Sequence, residues 1–290
     1  TELRPIMEII QRNFFRLLRS GAFADDELLE PMSAFKWRRL YQMVEVQGVA
    51  DVFLRGVQKH HGEQGLNMPE EILLRAEQDA QKQQSLAELV SRKVGMSMGM
   101  LNKRYVKLLD GERHSIDTSV ETMDLLRLLV VNEQDFLNHG INMRGIIFLG
   151  RYLREKGDRV DFVKLDNWLL RLHLQRMAQL QGSILISVFD FEPDELPFVH
   201  REEPAAFKLA VSSVSNLVKD TAQEWHFRQT RTGFVSNNSA VLRRNLRRSF
   251  RYLPYATLET VSNFFSNFAR SLKDCLLYTS PSPRDRSLSR

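Results

Sequence analysis

Cysteine is almost missing from this chain of 290 residues: Cys275 stands alone, so no disulfide can close within the chain and no thiolate metal set can be assembled from it. Long apolar runs are missing too. The longest candidates, Ile184 to Phe189 and Gly145 to Leu149, fall far short of the roughly 20 residues a membrane-spanning helix needs, so no transmembrane segment is predicted. Thr1 to Arg4 do not read as a signal peptide, and the expected compartment is the cytoplasm. Strand signals are nearly absent, which argues against a sheet protein. No repeat of fixed period is visible. The 7 histidines are scattered, no HExxH occurs, and His60 and His61 lie in a polar, glycine-containing stretch, so a zinc site has no support.

What is present suits a globular protein. Hydrophobic residues make up 43% and charged residues 27%, enough apolar material for a core in one large domain or two small ones. The net charge of +5 owes much to the extreme C-terminus. There, Cys275 to Asp285 resembles the translation of a transposon-based sequencing adapter, and residues 275–290 are read as an artefact tail. Without them the count falls to 38 basic against 35 acidic residues, a net +3, and the only cysteine is lost. Thr1 in place of Met is read as the start of a fragment.

Helical spacing recurs along the chain. Trp37, Leu40, Tyr41 and Val44 share one face, with Gly48 placed to cap the C-terminus. Pro69 with Glu70 and Glu71 opens a helix whose face continues through Ile72, Leu73, Ala76 and Ala80 and is expected to reach past Val90. Thr118 with Glu121 has capping-box spacing ahead of Leu125, Leu128 and Leu129, and Asp161 is placed to cap a helix carrying Phe162, Leu165, Leu169 and Leu172. Further helices are predicted from Met143 to Lys156, Pro204 to Lys219, Ser239 to Tyr252 and Tyr255 to Lys273. Residues 184–191 fit a short strand or a buried helix; Leu174, Met177, Leu180, Ile184 and Val188 favour the helix. The expected fold is therefore all-α, an irregular multi-helix bundle with at most a short strand near 184–191. Its expected regions are 1–115, 116–200 and 201–274, the last containing a basic helix, followed by the tail 275–290; a proline-containing loop from Glu192 to Glu203 divides the chain near 195.

Chemistry-bearing patterns are few. Gly145 and Gly150 have P-loop spacing, but Arg151 and Tyr152 stand where Lys and Ser/Thr belong and bulky apolar residues fill the interval, so helical glycines at close contacts are the better reading. Gly95 and Gly99 form a GxxxG that is read as close packing or a hinge. His226 beside Trp225 has no evident partner. Arg243, Arg244, Arg247, Arg248 and Arg251 share a helix with Leu242, Leu246, Phe250 and Leu253; the bland reading is a solvated face over a core stripe, and the functional one is contact with nucleic acid or anionic lipid. Leu258, Val261, Phe265, Phe268 and Leu272 form an apolar seam, expected to dock into the protein's own bundle rather than onto a partner, so that Phe265→Asp would destabilise strongly.

The stretches LLRSGAF, FKWRRLYQMVEVQGVADVFLRGVQ and MPEEILLRAEQ resemble the helical entrance region of a bacterial nucleotidyltransferase family related to the polymerase-beta superfold. NHGINMRGIIFLGRYLREKGDRVDFVKLDNWLLRLHLQRMAQ, ending near DELPF, resembles the same family's C-terminal helical part, and TGFVSNNSAVLRRNLRR its end. The resemblance implies a catalytic segment between the two matches: a Lys-Gly turn, an Arg and a Gly-Asp-Ile-Asp strand holding magnesium and a nucleoside triphosphate. Here Ser91 to Asp117 offers only Asp110, Glu112 and Asp117, without the paired carboxylate spacing of two-metal phosphoryl transfer. No catalytic residue carries over.

One near-match remains in Gly182 and Ser183 followed by Asp190 and Glu192, which imitates the superfamily's Gly-Ser turn and carboxylate pair. The expectation is thus a noncatalytic helical interaction or regulatory protein with an unidentified protein partner and no cofactor. Two alternatives stand beside it: a nucleotidyltransferase using magnesium and a nucleoside triphosphate through those four residues, and a basic module binding nucleic acid or an anionic membrane surface.

Overall fold

The computed structural model describes residues 7–23, 25, 27–60, 62, 67–83, 88, 94–215 and 246–278, with side chains as far as Ala269. Among the described residues every regular element is helical and none is a strand, so the fold is all-α. In chain order the helices are α1 (Ile9–Phe23), α2 (Ala34–Gln47), α3 (Ala50–Lys59), α4 (Glu70–Gln81), α5 (Gly99–Arg113), α6 (Val120–Asn138), α7 (Met143–Lys156), α8 (Phe162–Leu172) and α9 (Gln175–Phe189). Then come α10 (206–215), α11 (246–252) and α12 (Thr257–Tyr278). Short 3-10 turns lie at Gly157–Arg159 and Pro193–Glu195. No described helix is long and apolar enough to cross a membrane.

Helix α6 is the axis of the core. Leu125, Leu126, Leu128, Leu129, Val130, Val131 and Phe136 are buried all around it, as a helix apolar on every side requires. Its polar Asn132 is buried with partners: Nδ2 donates to the Gly145 carbonyl at 3.1 Å and to Gln181 Oε1 at 3.0 Å, while Gln181 Nε2 donates to the Leu129 carbonyl at 3.0 Å. A Cβ at Gly145 would sit 2.2 Å from Asn132 Oδ1, and one at Gly150 2.8 Å from Phe23 and Phe191. These glycines let α7 approach its neighbours and cradle no phosphate. One cluster of buried apolar side chains runs from Ile10 to Ala256.

Several helix ends follow the expected chemistry. Gly48 closes α2 in the left-handed region at φ 61°, Pro69 leads into α4, and Asp161 accepts the Lys164 amide at 2.8 Å to open α8. Three details differ from the sequence reading. Helix α4 stops at Gln81 and does not run past Val90; only Glu88 is described between residues 84 and 93. The cap of α6 is Ser119, which accepts the Thr122 amide, while the Thr118 hydroxyl turns back to the Glu112 and Ser115 carbonyls. Gly95 and Gly99 do not share a helix: Gly95 precedes α5, and Gly99 opens it with no packing neighbour. Residues 184–189, by contrast, end a helix as the spacing of Leu174, Met177, Leu180, Ile184 and Val188 favours, with Asp190 as a left-handed C-cap at φ 53°. Trp225, His226 and Leu242 lie outside the described residues, as do the outer parts of the helices expected over 204–219 and 239–252, and residues 279–290 of the tail. Helix α12 continues to Tyr278, four residues past Asp274.

Candidate interaction face

Helix α12 is seated by its polar side. Glu259, Thr260 and Asn263 are buried. The Glu259 carboxylate accepts the backbone amides of Ser97 at 2.5 Å and Met98 at 2.9 Å, and Gln134 Nε2 at 3.1 Å. Met98 is the N-cap of α5 and brings no capping side chain of its own, so Glu259 provides both an acceptor for the amides entering that helix and a negative charge at its positive end. Farther along, Asn263 and Asn267 donate to Asn138 Oδ1 at 3.1 and 3.2 Å, and the Ser262 hydroxyl donates to the Ser97 carbonyl at 3.0 Å.

The apolar side consequently turns outward. Leu258, Val261, Phe265 and Phe268 are all exposed, Phe265 to 62%. This overturns the expectation that the seam docks into the protein's own bundle; Leu272 lies among residues whose side chains are outside the described set. Ordinary surface helices bury their apolar stripe and present the polar one. In α12 the hydrogen-bonding stripe wins the inner position because α5 and α6 offer it unsatisfied amides and amide side chains. Helix α11 joins this face. Tyr252 is buried, 6.1 Å from the Phe136 ring, and the Arg248 guanidinium donates to the Asn138 carbonyl, whereas Leu246 and Phe250 are exposed, Phe250 to 66%. Between the two helices runs an open apolar groove of about 180 Å³, lined by Leu246, Phe250, Leu253, Val261, Phe264 and Phe265.

Beneath this face lies a buried acid that sequence reading did not single out. Glu133 is fully buried on α6, and neither carboxylate oxygen has a hydrogen-bond partner. Burial, reinforced by the nearby Glu259, holds its pKa well above the usual carboxylate range.

The residues picked from sequence are dispersed. Arg247 is exposed, Arg251 is half-buried and Arg248 is tied to α6 as above, while Arg243 and Arg244 lie outside the described residues. Gly182 sits inside α9, where a Cβ would come within 2.2 Å of Val199 and 3.3 Å of Phe198. The Ser183 hydroxyl accepts the Glu203 amide at 2.9 Å. Asp190 is eight residues along from Gly182, about 12 Å of helix, and its carboxylate is paired with Arg19 of α1. Glu192 is exposed and leads the 3-10 turn, its amide donating to Glu195 at 2.9 Å. The structure does not bring these four together. They do not fit magnesium and a nucleoside triphosphate: one carboxylate is neutralised by arginine and the glycine is filled by side chains rather than open to a phosphate. Among the described residues no three of His, Cys, Asp and Glu converge on a metal-sized site. No protein-family model, curated protein or solved structure matches the chain.

Proposed function

We propose that this chain is a noncatalytic helical interaction or regulatory protein whose binding surface is the apolar face of α11 and α12. The observation that carries the reading is the orientation of α12: polar residues anchor it inward and four large apolar residues face solvent. A contiguous apolar patch bounded by polar residues costs solubility and is kept where something covers it. The resemblance of the flanking helices to a nucleotidyltransferase family supports descent from such an enzyme, with the helical parts retained and packed on one another. The buried contact of Asn132 with the Gly145 carbonyl and Gln181 packs α6, α7 and α9 directly on one another.

Two measurements test this. Phe265→Asp is expected to leave the melting temperature within about 2 °C of wild type, because changes at exposed positions stay near ±0.5 kcal/mol. A fall of more than about 5 °C would place Phe265 inside the fold and sink the reading. Magnesium with ATP, or with any other nucleoside triphosphate, is expected to give no thermal stabilisation, since a ligand that binds only the folded state must raise its stability. A saturable upward shift would restore nucleotidyl transfer.

A further inference from the structure

From the groove and its rim we infer the kind of partner: an amphipathic helix of another protein, with an apolar stripe to fill the groove and acidic residues flanking it. The inference rests on the interaction-face reading above and adds the partner's shape and charge.

The shape comes from the groove. An apolar cavity of about 150 Å³ accepts a benzene-sized group, so a groove of about 180 Å³ accepts one leucine or phenylalanine side chain. The exposed seam extends it along α12 from Leu258 to Phe268, about 15 Å of helix. That length takes roughly three turns of a partner whose contacts recur at i, i+3, i+4 and i+7. A concave slot between two helices suits inserted side chains, and a flat bilayer surface would leave it unfilled.

The charge comes from the rim. Leu246 and Phe250 line the groove, and Arg247 and Arg251 each follow one residue later, turned about 100° from them into a basic row beside the apolar one. Between residues 246 and 269 the only acid is Glu259, which is buried and already holds the amides of Ser97 and Met98. The face therefore carries exposed positive charge with no exposed acid within it. A second copy of this chain laid symmetrically on the face would set one arginine row near the other, at a repulsive cost, whereas glutamates spaced four apart on a partner helix would meet Arg247 and Arg251.

The test uses the full chain and a small panel of synthetic helical peptides, each with Leu or Phe at i, i+3, i+4 and i+7 and glutamates beside that stripe. A matched panel carries lysines in place of the glutamates. Fluorescence anisotropy at low and high salt is expected to show glutamate peptides binding at least tenfold tighter than lysine peptides, with the difference shrinking as salt rises. Arg247→Gln with Arg251→Gln should remove that preference while leaving the melting temperature unchanged, and Phe265→Asp should weaken binding of every peptide. Equal binding of both panels overturns the charge assignment and leaves the interaction face standing. Failure of all peptides, together with binding to phosphatidylserine vesicles or concentration-dependent self-association that Phe265→Asp abolishes, overturns the partner and makes the occupant a membrane or a second copy. If no peptide binds and Phe265→Asp lowers the melting temperature, the seam is covered by the chain itself and both readings fail.

Discussion

Gly56→Val is expected to destabilise the protein by more than about 3 kcal/mol, enough to leave much of the chain unfolded at ordinary temperatures. A Cβ at Gly56 would lie 2.3 Å from the Leu17 carbonyl oxygen, and one at Gly21 would lie 1.9 Å from the Val52 carbonyl oxygen. Helices α1 and α3 thus cross backbone against backbone. No rotamer change relieves such a clash, so the helices must separate and loosen Phe14, Leu17, Leu18, Val52 and Phe53, all buried there. The crossing is further tied by Lys59 Nζ donating to the Ser20 carbonyl at 2.8 Å. A control separates crowding from loss of a glycine as such. Gly111, exposed within α5, has nothing within 4 Å, and Gly111→Ala is expected to raise stability by about 0.5–1 kcal/mol. Urea unfolding followed by circular dichroism measures both; a Gly56→Val midpoint close to wild type would refute the close crossing.

Helices with a clean apolar period were legible from sequence. Trp37, Leu40, Tyr41 and Val44 are buried together on α2, and Leu174, Met177, Leu180, Ile184 and Val188 are buried along α9 and its cap. Helices α1, α3 and α5 were not assigned by period, and glycine is the physical reason in the first two. Gly21 and Gly56 read as helix breakers when only local propensity is weighed, yet they stand where two backbones must touch. In α5 the pattern is weak because Met100 and Val106 face solvent, leaving Leu101, Tyr105 and Leu109 as a narrow buried stripe.

The candidate site was half legible. The seam on α12 was visible as a period, since Leu258, Val261, Phe265 and Phe268 must share a face. Its direction was not. Periodicity says which residues lie together and leaves open which side turns inward. That choice is made by Glu259 and Asn263, whose partners Ser97, Met98 and Asn138 are 125 to 162 positions away in the chain. The near-match carboxylate pair illustrates the same limit from the other side: Asp190 and Glu192 are close in sequence, and Arg19, 171 positions away, claims the first of them.

Glu133→Met is expected to stabilise the protein by about 1–3 kcal/mol at neutral pH, the cost of a buried polar group without a partner. Glu133 is fully buried with both carboxylate oxygens unpartnered, and Glu259, the acid it faces from α12, opposes any charge on it. The pH dependence has a definite sign. In the unfolded chain Glu133 releases its proton near its ordinary value of 4.5, while in the folded chain burial keeps the proton on well above that. Between those two values the folded state binds one more proton, so this residue's contribution to stability is fullest below pH 4.5 and declines as pH rises toward the folded value. Glu133→Gln cannot titrate, so its stability relative to wild type should climb over the same interval and level off only above it. The advantage of Glu133→Met should grow with pH in the same way, because it too removes the titration. Urea midpoints for the three proteins from pH 5 to 8 test the argument, since other titrating groups cancel in the differences. If wild type gains on Glu133→Gln as pH rises, the carboxylate is ionised and paired in the folded protein. Its burial would then hold α6 to a cation or donor, and the raised pKa of the acid beneath α12 would be wrong.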